Sequence, residues 1–338
     1  MNNNDDISYS IHDFDKVWRI IPFNRHQKEI LKNILFSFFS FLLNKWDIYH
    51  NWKHAKPFKN KWYSFVNSNL NNKPIDNIRG INSSIKKNDK KIAFVIHVFY
   101  VEIFKEILKM IKNSEGIEIK LFITCPYNLK FEIEKEIQHT QFPYLIIEVE
   151  NRGRDVLPFI RILPIIFSED FNFVMKLHTK KSGHLKRNHN WRNDLYEKLL
   201  NPDNIQNFLE ICNSNPEIGM IGPAGHILPM SLYYGGNSEK VMNILRRMEI
   251  SDQKLSGSIF IAGTMFFASK KALLPILNIG LKEEEFEVES MQVDGTLAHA
   301  LERVLGIIVN QYSLRIIDSD SKPYKINCKI TRNYKFTL

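Results

Sequence analysis

IAFVIHVF at 92–99, followed directly by VEIFKEILKMIKN at 101–113, decides the fold. The first run is short, β-branched and aromatic, which suits a buried strand. The second repeats its apolar side chains at helical spacing. The alternation continues with a strand in IEIKLFITC (117–125), a helix in FEIEKEIQH (131–139), and strands in YLIIEVE (144–150) and FNFVMKLHT (171–179). Helical segments of this length between strands are the crossovers that parallel pairing needs. The expected fold is therefore α/β: an open, mostly parallel sheet with helices on both faces. Such sheets bind ligands beyond the carboxyl ends of their strands, which gives the polar clusters after Glu150, Leu177 and Ile221 a common address.

Outward from that core the texture changes at Lys91. Residues 1–90 are rich in Asn, Lys and Trp, with one helical segment from Gln27 to Trp46 and a linker, NNKPIDNIRGINSSIKKNDKK, at 71–91. The expected organisation is a mainly helical N-terminal extension with its linker (1–90), a main domain (91–318) and a C-terminal tail (319–338). The longest apolar run, ILFSFFSFLL at 34–43, is shorter than the roughly 20 residues of a spanning helix. Flanked by Lys28, Lys32 and Lys45, it suits either a bilayer interface next to anionic lipid or a buried packing helix. The opening MNNNDDISYSIHDFDK has no basic, apolar leader, and the three cysteines lie far apart without a CxxC pair. The expectation is a cytoplasmic protein, peripheral at most on the inner face of the membrane. Across 338 residues, 46 Lys and Arg against 37 Asp and Glu leave +9, which favours an anionic partner without choosing among nucleotide, lipid and nucleic acid.

Several blocks occur in order: HVFY (97–100), VENRGRDVLPF (149–159), KLHTKKS (176–182), Trp191-Arg192, IGMIGP (218–223), AGTMFF (262–267) and QVDGTLAHALER (292–303). In these the stretch from Lys91 to about Gly306, about two thirds of the chain, resembles the rhamnan synthesis protein F family. The resemblance implies a glycosyltransferase, typically a rhamnosyltransferase using a dTDP-activated sugar in rhamnan, O-antigen or capsule assembly. It also implies a GT-A-like fold, a dTDP-rhamnose donor and a lipid-linked or growing glycan as acceptor. One departure stands out. Where GT-A enzymes commonly place a metal-holding DxD, this chain has Lys176-Leu177-His178-Thr179-Lys180.

Transfer from a nucleotide donor needs positive charge or a metal for the leaving diphosphate, and a base for the acceptor hydroxyl. Lys176, His178, Thr179 and Lys180 follow a strand and suit a metal-free clamp, so no cofactor is expected and Mg or Mn is disfavoured; a solvated basic loop would read the same way. Asn151, Arg152, Gly153, Arg154 and Asp155 suit a tight turn approaching an anion, or simply a salt-bridged turn. His97 and Tyr100 are placed for nucleotide or sugar contact, though strand histidines are often packing residues. In SIFIAGTMFF (258–267), read as one strand, Ala262, Gly263 and Thr264 leave room for a sugar; a β-bulge gives the same pattern. Trp191 and Arg192 go to the acceptor side. His178, His184, His189 and Asp194 match no zinc spacing.

Asp294 stands before a helix expected at 295–305, with no Lys or Arg within a few residues. It is either an N-cap or, as the resemblance implies, the general base, with Glu289 in reserve and His299, Glu302 and Arg303 in support. The rival reading is a non-catalytic nucleic-acid or polyanion binder, suggested by +9 and twelve tyrosines. The basic residues are too dispersed for a nucleic-acid stripe, so no nucleic-acid partner is expected.

Overall fold

The structure, a computed structural model, describes residues 89–111, 116–179, 188–251, 257–289, 292, 294–334 and 336. Residues 1–88, where a helix is expected from Gln27 to Trp46, lie outside the described residues, as does Lys180. Strand β1 (Lys91–His97) is buried along its five central residues and feeds α1 (Val101–Met110), whose Ile103, Phe104 and Ile107 form the buried stripe. The alternation then runs β2 (Glu118–Pro126), α2 (Lys130–Ile137), β3 (Tyr144–Val149), α3 (Val156–Ser168) and β4 (Phe173–His178). β1 pairs in parallel with β2 on one side and β4 on the other. That register sets His97 beside both Thr124 and His178 at the carboxyl end of the sheet.

Two helices follow, α4 (Asn188–Leu200) and α5 (Pro202–Ser214), then β5 (Ile218–Gly222), β6 (Ile227–Pro229), α6 (Met230–Tyr233) and α7 (Ser238–Arg247). The remainder is β7 (Ile259–Ile261), β8 (Phe266–Ser269), α8 (Lys270–Leu273), α9 (Leu297–Gln311) and β9 (Arg315–Asp318). The main sheet has the order β3-β2-β1-β4-β8-β5-β9. It is mixed and mostly parallel, with β8 antiparallel to both neighbours. Apolar side chains cover both faces: α3, α7 and α9 pack with one core cluster, and α1, α2, α4 and α5 with the other.

SIFIAGTMFF, expected as one strand, is two. β7 pairs with β6 in a separate two-stranded sheet, while β8 joins the main sheet. The break falls at Gly263 and Thr264, both with left-handed backbone (φ 87° and 49°). Apolar residues on either side carry the strand-like pattern through the turn, so the sequence does not announce it. The helix expected at 295–305 begins at Leu297 and runs to Gln311. Its N-cap is Thr296, whose hydroxyl accepts from the His299 amide, so Asp294 stands outside the cap.

Residues after Asp318 fold back over the sheet: Ser319 N donates to Gly222 O (2.8 Å) and Thr331 N to Ile227 O (2.8 Å). Among the described residues no helix is long and apolar enough to cross a membrane.

Helix α9 approaches β7 so closely that a Cβ on Gly306 would lie 1.8 Å from the Ile259 carbonyl oxygen. Gly306→Ala should therefore separate helix from strand and cost about 2–3 kcal/mol, read as a lowered urea midpoint with unchanged slope.

Candidate functional site

The turn at 151–155 converts the end of β3 into the start of α3 within five residues. Gly153 and Arg154 take left-handed backbone in succession, and a Cβ on Gly153 would meet that of Leu157 at 2.5 Å. Asp155 is delivered to the carboxyl edge of the sheet, where its Oδ2 accepts from Lys176 Nζ (2.5 Å) and Thr264 Oγ1 (2.6 Å). Lys176 Nζ also donates to Thr264 O (2.8 Å), and His178 Nε2 donates to Gly263 O (2.8 Å) while standing 4.0 Å from Asp155. Lys176 is 1% exposed, with its ammonium over the Phe159 ring. The group read from sequence as a diphosphate clamp is thus the internal partner of Asp155. Burial alone would raise the Asp155 carboxyl, but His178 and Lys176 overcome it and hold the group well below the usual range.

His97 completes this cluster. Its Nδ1 lies 3.0 Å from Thr124 Oγ1. Burial lowers its pKa to about 4; Asp155 opposes the shift and His178 and Lys176 add to it, so the imidazole is neutral near pH 7. Thr179 Oγ1 accepts from the backbone amides of Phe99 (2.8 Å) and Tyr100 (3.0 Å), tying the HVFY loop to the end of β4. Tyr100 is the N-cap residue of α1, and Asn151 is exposed at the start of its turn.

A second cluster forms on α9. Arg154 contacts His299 Nε2 (2.9 Å), Glu289 (3.2 Å) and the carbonyl of Gln292. Arg303 donates to His299 O (2.8 Å) and pairs with Glu302 (3.1 Å) and Asp294 (3.6 Å). Glu302 in turn accepts from Gly263 N (2.6 Å), which joins this cluster to the first. Asp294 does have a cationic neighbour, supplied by Arg303 nine positions on. Its carboxylate also accepts from Asn237 Nδ2 (2.8 Å) and Gly236 N (3.1 Å). Burial pushes the Asp294 pKa up, but Asn237, Gly236, Arg303 and Gly295 together bring it below the ordinary value.

Arg154 and Asp294 therefore share one connected set of contacts through α9. The other candidates have partners of their own. Arg152 is buried, donating to Phe286 O (3.0 Å) and bridging to Val288 in the backbone, so it holds the acidic stretch in place. Arg192 pairs with Glu106 (3.0 Å) between α4 and α1. Trp191 lies against Gly263, where a Cβ would meet its ring at 2.8 Å, and donates to Tyr334 Oη (2.8 Å). Ala262 N donates to His226 O (2.9 Å).

The sequence reading missed Thr124, Asn237, His226 and Tyr334. The run YYGGN at 233–237 was a usable signal, because adjacent glycines leave backbone amides open to a carboxylate. Among the described residues no group of three or more His, Cys, Asp and Glu side chains is set to hold a metal.

Fold and site together define an α/β domain whose polar cluster sits at the carboxyl edge of a mixed sheet. The chain belongs to the rhamnan synthesis protein F family, whose family model matches residues 45–313. The match begins well before Lys91, where the recognisable motifs start, so part of the N-terminal stretch belongs to the family region too. Two curated relatives from strains of Xanthomonas campestris pv. campestris, both described as uncharacterized protein WxcX, are each 35% identical over 222 residues. The alignment covers 66% of this chain and 32% of each relative, so the chain spans about a third of their length.

Lys176→Met leaves a buried carboxylate without its counter-charge and should cost about 3–5 kcal/mol by chemical denaturation, with Asp155→Asn added to it recovering part of the loss. His97 gives a pH signature. Its folded pKa lies below the unfolded value near 6.5, so between about 6.5 and 4 the unfolded chain binds the proton first and stability falls as pH drops. The loss should be at most about 3 kcal/mol, and His97→Gln should flatten that part of the pH–stability profile.

Proposed function

We propose that this chain carries a GT-A-like inverting glycosyltransferase, moving a sugar from a nucleotide-diphosphate donor to a glycan or lipid-linked acceptor in cell-surface polysaccharide assembly. dTDP-rhamnose is the first donor to test. The observation that carries the reading is the connected set Arg154–His299–Arg303–Asp294 beside the sheet-edge cluster, in a chain of the rhamnan synthesis protein F family. The order of elements supports the GT-A assignment: a first βα unit for the nucleotide, a polar turn at the sheet edge, a Gly-containing turn on the acceptor side, then an acidic residue, Asp294, shortly before a helix.

In this reading the Asp294 carboxylate, ionised and about one-third exposed, takes the proton of the acceptor hydroxyl. The resulting oxygen attacks the anomeric carbon, and the bond to the diphosphate breaks with its electron pair leaving on the nucleotide. Arg154 and Lys180 neutralise that charge. Neutral His97, with Tyr100, contacts the nucleoside or sugar, since an uncharged imidazole can hydrogen-bond hydroxyls and base edges alike. The Lys176–Asp155 pair acts as scaffold. The acceptor lies along Ala262–Gly263–Thr264. Glu289, paired with Arg154, is the less favoured base. Transfer proceeds without Mg or Mn, the support being the lysine and histidine at the end of β4 where a metal-holding carboxylate pair would otherwise be expected. The work is done on the cytoplasmic side, without a nucleic-acid partner.

A thermal-shift panel of dTDP, UDP and GDP should show selective stabilisation by one nucleotide, and Arg154→Ala should weaken it by roughly tenfold or more. Asp294→Asn should keep nucleotide affinity and lower transfer by roughly 10²–10⁴-fold. EDTA should leave the rate unchanged. Near-normal transfer by folded Asp294→Asn would place the base elsewhere, and retention of RNA without any nucleotide shift would favour the polyanion-binding alternative.

A further inference from the structure

Residues 321–338 contain five basic side chains, Lys322, Lys325, Lys329, Arg332 and Lys335, and no acidic one. The described part of this strap is held by its backbone at short intervals. Lys322 and Lys325 pair with each other across a turn, Asn327 O accepts from Asp318 N (3.0 Å), Lys329 N donates to Asp318 Oδ2 (2.7 Å), and Arg332 O accepts from Tyr233 Oη (2.6 Å). Its inner side chains are fixed as well. Tyr334 Oη accepts from Trp191 Nε1 (2.8 Å) and donates to His226 Nδ1 (2.8 Å). His226 Nε2 donates to Asp194 (2.6 Å), which Lys198 also holds (2.7 Å), and Phe336 stacks on the His226 ring. Trp191, Tyr334 and His226 thus each pass a hydrogen to the next acceptor in a partly buried network.

The outer side is different. Lys325, Lys329 and Arg332 are exposed and have no ion-pair or hydrogen-bond partner for their side chains among the described residues. Tyr324 and Ile330 stand among them, 88% and 43% exposed. Through Tyr334 and Trp191 the strap reaches Gly263, at the edge of the proposed site.

We infer that the outer face of this C-terminal strap, Lys325, Lys329 and Arg332 with Tyr324 and Ile330, is a docking surface for an anionic lipid bilayer. The charge complementarity is one-signed along the whole segment. The backbone is already fixed, so little ordering entropy is lost on contact. Each cation near an anionic leaflet strengthens binding by roughly fivefold, and a tyrosine among them suits the headgroup layer. Such a surface would bring a lipid-carried acceptor to the rim of the site, beyond what the transferase reading itself requires.

The test is co-sedimentation of the full chain with phosphatidylglycerol–phosphatidylcholine vesicles, with pure phosphatidylcholine and soluble heparin as the other arms. The expected result is salt-sensitive binding to the anionic vesicles alone, weakened roughly hundredfold in Lys325→Gln/Lys329→Gln/Arg332→Gln at an unchanged melting temperature. If that variant melts early, Lys329→Gln alone should weaken binding by roughly fivefold. The inference is overturned if the wild type ignores anionic vesicles, if the triple variant binds them equally well, or if heparin is retained and vesicles are not. Nucleotide thermal shifts on the triple variant should match the wild type, so a failed donor site and a failed docking surface are seen separately.

Discussion

Strand β4 is buried along its whole length, yet Lys176 lies within it. A lysine there is tolerable only if a carboxylate meets it with good geometry and the remaining hydrogen-bonding capacity is filled. Asp155 provides the charge, and Thr264 provides a hydroxyl to the carboxylate and a carbonyl to the ammonium. Three segments far apart in sequence are thereby brought together: the turn into α3, the end of β4, and the turn between β7 and β8. Thr264 is β-branched and left-handed, a costly combination that its bonds to Asp155 and Lys176 stabilise. The neighbouring His97 is kept neutral chiefly by burial, against the pull of Asp155.

Helix α9 extends that arrangement. From its first two turns His299 meets Arg154, Glu302 meets the Gly263 amide, and Arg303 meets Asp294. The cations described in this cluster are each matched by a carboxylate. One place where the chain's excess of cations is concentrated is the C-terminal strap, where residues 321–338 hold five and no acidic side chain. Net charge alone suggests an anionic partner; location decides which surface meets it.

Much of the sheet was legible in the sequence. The βα alternation from Lys91 to His178 follows from side-chain periodicity, which reports burial of one face or two whatever the rest of the chain does. Periodicity also misled. SIFIAGTMFF keeps an apolar pattern through a reversal, because the residues around Gly263 and Thr264 are buried for reasons unrelated to strand pairing. Asp294 lacked a counter-charge in its own neighbourhood and found one in Arg303, two turns along a helix whose start was misplaced by two residues.

By itself the sequence determined the α/β class, the stretch where the sheet begins, and the residue types gathered at the strand ends, because these depend on local pattern and on the rule that parallel sheets present their loops at one edge. Only the tertiary structure decided that Lys176 faces Asp155, that Arg152 and Arg192 hold the scaffold together, and that Tyr334 closes onto Trp191. Those outcomes depend on pairing between residues 21 to 143 positions apart, and the cost of leaving a buried charge or hydroxyl unmatched is resolved only when the whole chain has folded.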